Sequence, residues 1–280
     1  MATTVTYKGA TLTTVDNATK VLQTAGTWME DDLTLVDVSG GGGWTTAGIA
    51  QNLEPNGAIV LDNSITTLAD NAFRGKPITS IIGGGVTNIG MDALNGTQIT
   101  SITDTNFPVL GVNTQYSVLL RTPTSCTQIK LTGKYIALSS GSYALRNCTG
   151  LKSAEFPHCA ESVGSSSKGT GQYVMGGCTN LELADLGYVN SLSANAFNGD
   201  TKLETIILRN ASIVSLSNVN AFTNTPFKSG GAGGHIYIPK SLYDHLGDGT
   251  SSDYQNATNW STIHGYGTIT WHAIEGSIYE

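Results

Sequence analysis

Charge is scarce in this sequence. Only 12% of its 280 residues are charged, and 14 Lys and Arg face 21 Asp and Glu for a formal net charge of -7. The few cations are scattered and form no stripe, so the clustered positive surface that neutralises phosphates is missing and no nucleic-acid partner is expected. No apolar run approaches the ~18 residues that a membrane-crossing helix needs, so no membrane insertion is expected either. The opening Met1-Ala-Thr-Thr-Val-Thr-Tyr-Lys8 lacks the basic-then-apolar pattern of a secretory signal, which favours a protein assembled in the cytoplasm and released by lysis over one exported by that route.

Catalytic motifs are equally sparse. The five histidines (His158, His235, His245, His264, His272) sit in no nucleophile, zinc or oxyanion pattern, and Gly-x-Ser-x-Gly does not occur. The serines of Ser139-Ser-Gly-Ser142 have no neighbouring His or acid and read as a turn. Gly40-Gly-Gly-Gly43 lacks the Gly-Lys-Ser/Thr ending of a phosphate loop and reads as a hinge. Asp244, Asp248, Gly249 and Asp253 place carboxylates near a glycine, but their spacing misses the calcium-loop template and no Glu closes it. His158-Cys159 has no second pair at ligand spacing, so it reads as a loop histidine beside a packed cysteine. Six Asn-x-Ser/Thr triplets, beginning at Asn17, Asn95, Asn147, Asn210, Asn256 and Asn259, follow from the Asn/Thr-rich composition. No carboxylate pair suits glycan hydrolysis. The expectation is a chain with no catalytic, cofactor-binding or metal residues, and with binding residues not assignable to particular positions.

What the sequence does contain is 34 glycines and a repeat. Ile65-Thr-Thr-Leu68-Ala-Asp-Asn-Ala72-Phe73 and Val86-Thr-Asn-Ile89-Gly-Met-Asp-Ala93-Leu94 superpose with an offset of 21 residues, as do the following Ile78-Thr-Ser-Ile81 and Ile99-Thr-Ser-Ile102. The frame continues through Val189, Leu192, Ala196-Phe197, Leu203 and Ile206, then Ile213, Leu216, Ala221-Phe222 and Phe227. Between these blocks Cys126-Thr-Gln-Ile129, Cys148-Thr-Gly-Leu151 and Cys178-Thr-Asn-Leu181 mark the same register, with Ala144-Leu145 and Val174-Met175 at the Ala-Phe position. About seven units fill residues 58–239, the third, near Val118-Leu119, being degraded. A period of 20 to 29 residues with aliphatics at short spacings is that of a leucine-rich-repeat solenoid, whose units bury their apolar faces only by stacking. The fold class expected is mainly β: short parallel strands at the Ile-x-x-Ile segments, with Phe73, Leu94, Phe197 and Phe222 plugging the interior. About seven strands at ~4.8 Å give a rod of roughly 35 Å. Three cysteines at one register position have parallel Cβ vectors, a poor geometry for bridging, so Cys126, Cys148 and Cys178 are expected as buried thiols.

The phrase x-x-Ile-x-x-x-Ala-Phe-x-x-(Cys)-x-x-Leu-x-x-Ile, closing in Ile236-Tyr-Ile238-Pro239 and Tyr254 to Ser261, resembles the BspA-like leucine-rich repeats of surface proteins of gut and oral bacteria and of their phages. Thr6-Tyr-Lys-Gly-Ala10 with Leu22-Gln-Thr-Ala-Gly-Thr-Trp28-Met-Glu-Asp-Asp-Leu33-Thr-Leu-Val36 resembles the opening module of tail-associated proteins of phages infecting gut Firmicutes. These resemblances imply a non-enzymatic phage virion protein, of the tail or a receptor-binding appendage, located in the virion. Its repeats would recognise a bacterial surface glycan or protein, and its N-terminal module would contact other virion proteins, with a homotrimer as one assembly. The alternative they imply is a BspA-like adhesin or interaction module at the bacterial surface or outside the cell.

The expected organisation has four segments. Residues 1–39 form a small β module, with strands at Thr4–Tyr7, Thr11–Val15 and Leu33–Val38 and a helical turn over Asn17–Thr24. A Gly-rich linker and cap (40–57) precedes the solenoid (58–239). A C-terminal cap (240–280) has short helices at Lys240–Leu246 and Tyr254–Ser261, whose Leu242, Leu246, Tyr254 and Trp260 plug the last coil, and a strand at Thr268–Ile274. Thr103–Thr124 and Ser162–Gln172 exceed the loop length the unit needs.

Overall fold

The computed structural model describes residues 4–7, 10–14, 21–23, 58–61, 65–68, 71–75, 78–90, 92–110, 112, 116–117, 122–138, 144–162 and 168–275. The expected strand at Leu33–Val38, the Gly40–Gly43 hinge, the cap segment 44–57 and Ser139–Ser142 lie outside them. Near the N-terminus β1 (Thr4–Tyr7), β2 (Ala10–Thr14) and β3 (Val21–Gln23) form an antiparallel sheet in that order. The first two strands fall where alternation places them. Residues 21–23, expected in a helical turn, are strand instead, pairing Leu12 with Gln23 and Thr14 with Val21. A neighbouring strand supplies hydrogen bonds that a lone helical turn cannot match, because nucleating a helix costs more than one turn returns.

The repeats build two ladders. Each unit contributes a main strand at the end of its Ile-x-x-Ile phrase, and most contribute a second, two-residue strand at the preceding aliphatic landmark. In chain order these are β4 (Ala58–Leu61), β5 (Thr67–Leu68), β6 (Ser80–Gly83), β7 (Asn88–Ile89), β8 (Ser101–Thr103), β9 (Tyr116–Ser117), β10 (Gln128–Lys130), β11 (Ile136–Ala137), β12 (Ser153–Glu155), β13 (Leu183–Asp185), β14 (Ser191–Leu192), β15 (Thr205–Ile207), β16 (Ser215–Leu216), β17 (Gly234–Pro239) and β18 (Ile269–Ile274). Seven main strands make one parallel sheet in the order β18-β17-β15-β13-β12-β10-β8, while β5-β7, β9-β11 and β14-β16 pair on the second side. The central residue of each main strand (Ile102, Ile129, Ala154, Ala184, Ile206, Ile236, Trp271) points inward and is buried, as the two-residue period of a strand requires.

Between the two strands of a unit the Ala-Phe pair turns a corner. The residue before the pair takes left-handed backbone at Asn71, Asp92, Tyr173 and Asn195, and the residue two after it does so at Gly75, Gly96, Asn147, Gly177, Gly199 and Asn224. Glycine and asparagine dominate these columns because they reach positive φ at least cost. The corners then bond to one another: Phe73 N–H donates to Ala93, Gly75 to Asn95, Met175 to Ala196, Gly177 to Asn198, Phe197 to Ala221 and Gly199 to Thr223, all at 2.8 to 3.0 Å. Phe73, Leu94, Phe197 and Phe222 fill the interior with at most 3% exposure, and Phe197 stacks on Phe222 with ring centroids 5.8 Å apart. Each fully buried side chain of this size contributes about 1.5 to 3 kcal/mol.

The main sheet has a break near its N-terminal end. Among the described residues β4 pairs only with β6, and the seven-stranded sheet begins at β8. Across the seam Gln98 N–H reaches Ile78, Gly83 N–H reaches Asn106, and the Asn106 side-chain amide donates to the Ile81 carbonyl at 2.8 Å. Gly83 is required there, since a Cβ would lie within 2.9 Å of Val86 and of the Phe107 ring.

At the other end a cap closes the stack. α1 (Lys240–Tyr243) is shorter than expected, and α2 is Trp260–Gly265, so Tyr254 to Asn259 are turns where a helix was expected. The residues expected as plugs do plug: Leu242, Tyr254 and Trp260 are buried, and Leu246 packs against the core from a partly buried position. The turn frees side chains for the edge of β16. Tyr254 Oη accepts from Val214 N–H at 2.9 Å, Trp260 Nε1 donates to the Val214 carbonyl at 2.7 Å, and Asn259 Nδ2 donates to Leu216 at 2.6 Å. Side chains thus bond three backbone groups of a strand that would otherwise end open. The expected last strand is present as β18, and it extends the main sheet as a parallel neighbour of β17.

Candidate interaction surface

Alternation in the main strands puts two columns of side chains on the outer face of the seven-stranded sheet. One runs Ser101, Gln128, Ser153, Leu183, Thr205, His235, Thr270, and the other Thr103, Lys130, Glu155, Asp185, Ile207, Tyr237, His272. The face changes character along the stack. Its N-terminal half is polar, with Lys130 Nζ 3.3 Å from Glu155. In the middle Arg209 reaches Asp185 with Nε at 3.1 and 3.2 Å and Nη2 at 2.7 Å, a forked pair in which the Asp185 side chain is only 4% exposed. The C-terminal half carries rings: Tyr237 stacks on His272 at 4.6 Å, and His235 Nδ1 lies 2.9 Å from His272 Nε2. That contact is a hydrogen bond only while one imidazole is neutral. Burial and the neighbouring His235 hold His272 below the usual histidine range, which favours that state. Asp185 and Ile207 in the second column are themselves buried, so at this end the accessible side chains are His235 and, in part, Tyr237 and His272, rings that have little side-chain entropy left to lose. The sequence assigned no binding residues, although the positions flanking each inward aliphatic were a readable signal for this face.

The residues weighed for chemistry are dispersed. His158 Nδ1 lies 2.8 Å from Glu161 Oε2, and Cys159 Sγ donates to the Ile136 carbonyl at 3.2 Å, so the two side chains have separate partners. Asp244 pairs with Lys240, Asp248 with His245, and Asp253 accepts from Gly249, Gln255 and Asn256. Among the described residues no three His, Cys, Asp or Glu side chains form a metal-holding group.

The cysteines are buried thiols with no disulfide. Burial pushes Cys126 and Cys159 up to about 12, and a hydrogen bond with Cys148, then burial, raises Cys178. The three cysteines do not share one position as expected: Ile129 pairs with Ala154, and Ala154 with Ala184, so Cys126 lies level with Leu151 and Leu181, three residues on from the column of Cys148 and Cys178. That column continues as Asp200 and Thr225. Asp200 is fully buried, accepts from Cys178 N–H at 2.8 Å, and is pushed by burial to about 9, so it is neutral at physiological pH.

The profile of the family described as BspA type Leucine rich repeat region matches six copies, over residues 52–167 and 123–245. The match begins at residue 52, so the N-terminal phrase that resembles phage tail proteins lies outside it. No curated protein sequence matches the chain. Among the solved structures similar to this chain are the following two. A leucine-rich repeat protein from Bacteroides ovatus is 16% identical over 78% of this chain and 66% of its own, with a TM-score of 0.36. A leucine rich cell surface protein from Faecalibacterium prausnitzii is 18% identical over 60% of this chain and 57% of its own, with a TM-score of 0.24. The chain therefore spans under two thirds of the length of both. The repeat register, the stacked corners and a family match across well over half of the chain lead to one assignment: the chain belongs to the BspA-type leucine-rich-repeat family.

Proposed function

We propose that this chain is a non-enzymatic interaction module of a bacterial surface or extracellular protein, binding a macromolecular partner through the outer face of its main sheet. The observation that carries this reading is the ring cluster of exposed His235 with partly exposed Tyr237 and His272, on a sheet that the repeat architecture holds rigid. The cell-surface description of the Faecalibacterium relative fits this placement. The surface reading is preferred to a virion protein because the family match covers the repeats and leaves out the phrase on which the phage resemblance rests.

The test presents the immobilised chain with intact bacteria, extracellular glycoproteins and cell-wall polysaccharide. Binding to one of these is expected, lost in the double variant Tyr237→Ala, His272→Ala and kept in Ser212→Ala, an exposed loop control. The double variant binding as tightly as the wild type would sink the reading, and so would turnover of the polysaccharide into soluble products.

A further inference from the structure

Two imidazole nitrogens meet on the outer face of the main sheet. His235 Nδ1 lies 2.9 Å from His272 Nε2, with the ring centroids 5.0 Å apart and the ring planes at 51°. We propose that this pair is a surface site for a divalent transition metal of the zinc, nickel and copper class, held by His235 Nδ1 and His272 Nε2 and completed by water or by a ligand from a bound partner.

The backbone sets the pair up. β17 and β18 run parallel over six paired positions, with His235 opposite Thr270 and Tyr237 opposite His272, so the two histidines are diagonal neighbours on the outward side. Ligands carried on paired strands are held more precisely than ligands on loops. Tyr237 stacks on His272 with centroids 4.6 Å apart and planes at 17°, which restrains one of the two rings. His235 is exposed, so a cation reaches the pair from solvent and the ring that must turn to meet it is the accessible one.

The separation matches the chemistry. Metal–nitrogen bonds of about 2.0 to 2.1 Å put two imidazole nitrogens ~2.9 Å apart at a right angle and ~3.3 Å apart at the tetrahedral angle. The observed 2.9 Å is already the first value and falls a few tenths of an ångström short of the second. As a hydrogen bond the contact needs a proton between the nitrogens. A metal takes that place once both rings carry their protons on the far nitrogens, His235 Nε2 and His272 Nδ1, which is a change of tautomer and not of charge for the neutral pair. Imidazole suits zinc, nickel and copper, whereas magnesium and calcium take oxygen ligands. Among the described residues no third His, Cys, Asp or Glu joins the pair. With fewer protein ligands than the three of a catalytic zinc or the four of a structural one, the site is open on its outer side.

The site lies within the proposed contact face but does not need that reading, because metal is titrated with no partner present. The full chain, stripped of metal by a chelator, is titrated calorimetrically with Zn²⁺, Cu²⁺ and Mg²⁺. One Zn²⁺ per chain is expected, Cu²⁺ more tightly, and Mg²⁺ not at all. His235→Ala and His272→Ala should each weaken Zn²⁺ at least about tenfold, since loss of even an outer-shell partner costs about 10- to 100-fold. His245→Ala, which removes a histidine beside Asp248, should leave it unchanged. Electron paramagnetic resonance of the Cu²⁺ form should show coupling to both imidazoles in the wild type and to a single one in either variant. Zn²⁺ affinity that survives either substitution, Mg²⁺ bound as tightly as Zn²⁺, or no Zn²⁺ bound at all overturns the proposal. Macromolecular binding that is lost in the Tyr237→Ala, His272→Ala double variant, while the wild type takes up no Zn²⁺, would sink the metal site and leave the contact face standing.

Discussion

Trp260 reaches back 46 residues to donate its indole N–H to the Val214 carbonyl at 2.7 Å, while Tyr254 takes the Val214 N–H. One residue at the edge of the second ladder thus has both backbone groups satisfied by cap side chains. The same two rings pack edge-on at 5.4 Å, and Trp260 lies 5.8 Å from Phe222, so the cap is fixed to both the edge and the interior plug.

Replacing Trp260 by Phe keeps an aromatic side chain, smaller than the indole, and removes the donor. The stranded Val214 carbonyl should cost about 1 to 3 kcal/mol. Hydrogen exchange should quicken first at Ser215 to Ser217, next to the lost bond. Uniform quickening through the whole stack would contradict this.

Phe197→Ala should cost roughly 3 to 5 kcal/mol, because the stacked neighbours hold the cavity open. Stability in a stack is approximately a sum of unit and interface terms. Loss of exchange protection should therefore centre on residues 174–222 and fade towards Ile65. Equal loss at both ends would refute the stacked-unit description.

Asp200 gives the fold a pH dependence whose sign is fixed by its direction of shift. Its carboxyl is at 3.8 in an unpaired chain and about 9 in the fold, so between those values the native state holds a proton that the unfolded state releases. Its contribution is complete below pH ~4 and is lost as pH rises towards ~9, at up to about 1.4 kcal/mol per pH unit. Asp200→Asn keeps an acceptor for the Cys178 N–H and removes the ionisation. The melting temperature of the variant should gain on the wild type steadily across that window, and parallel melting curves would show the assignment to be wrong.

The thiols should be silent in the native protein. Ellman's reagent should find no reactive cysteine until denaturant is added, then all four. A mass deficit of two hydrogens under non-reducing conditions would reveal a bridge and contradict the structure.

Much of this was legible because a repeat repeats its physics. Aliphatic landmarks located the main ladder but not the second one, and the cysteines expected as buried thiols are buried, although Cys126 lies level with Leu151 and not with Cys148. Other features needed three dimensions. The helical turn expected over Asn17–Thr24 gave way at Val21–Gln23 to a strand because a partner was available, which no local pattern reveals. The helix expected from Tyr254 begins only at Trp260, since Tyr254 and Asn259 are spent on β16, a strand some 40 residues earlier. Asn71, Asp92 and Asn195 did carry a local signal, a turn-former before the Ala-Phe pair, which Tyr143 and Tyr173 replace before Ala144-Leu145 and Val174-Met175. The His235–His272 pair depends on the β17–β18 register, which only the assembled sheet fixes.

The seam between β6 and β8, where one asparagine side chain stands in for a strand, makes the joint between the first two coils lopsided. On the main-sheet side the described bonds are those of Gln98, Gly83 and Asn106, whereas β5 pairs with β7 and the corners bond through Phe73 to Ala93 and Gly75 to Asn95. The first coil is thus hung from its neighbour by the second ladder and the corners, with the main sheet contributing least.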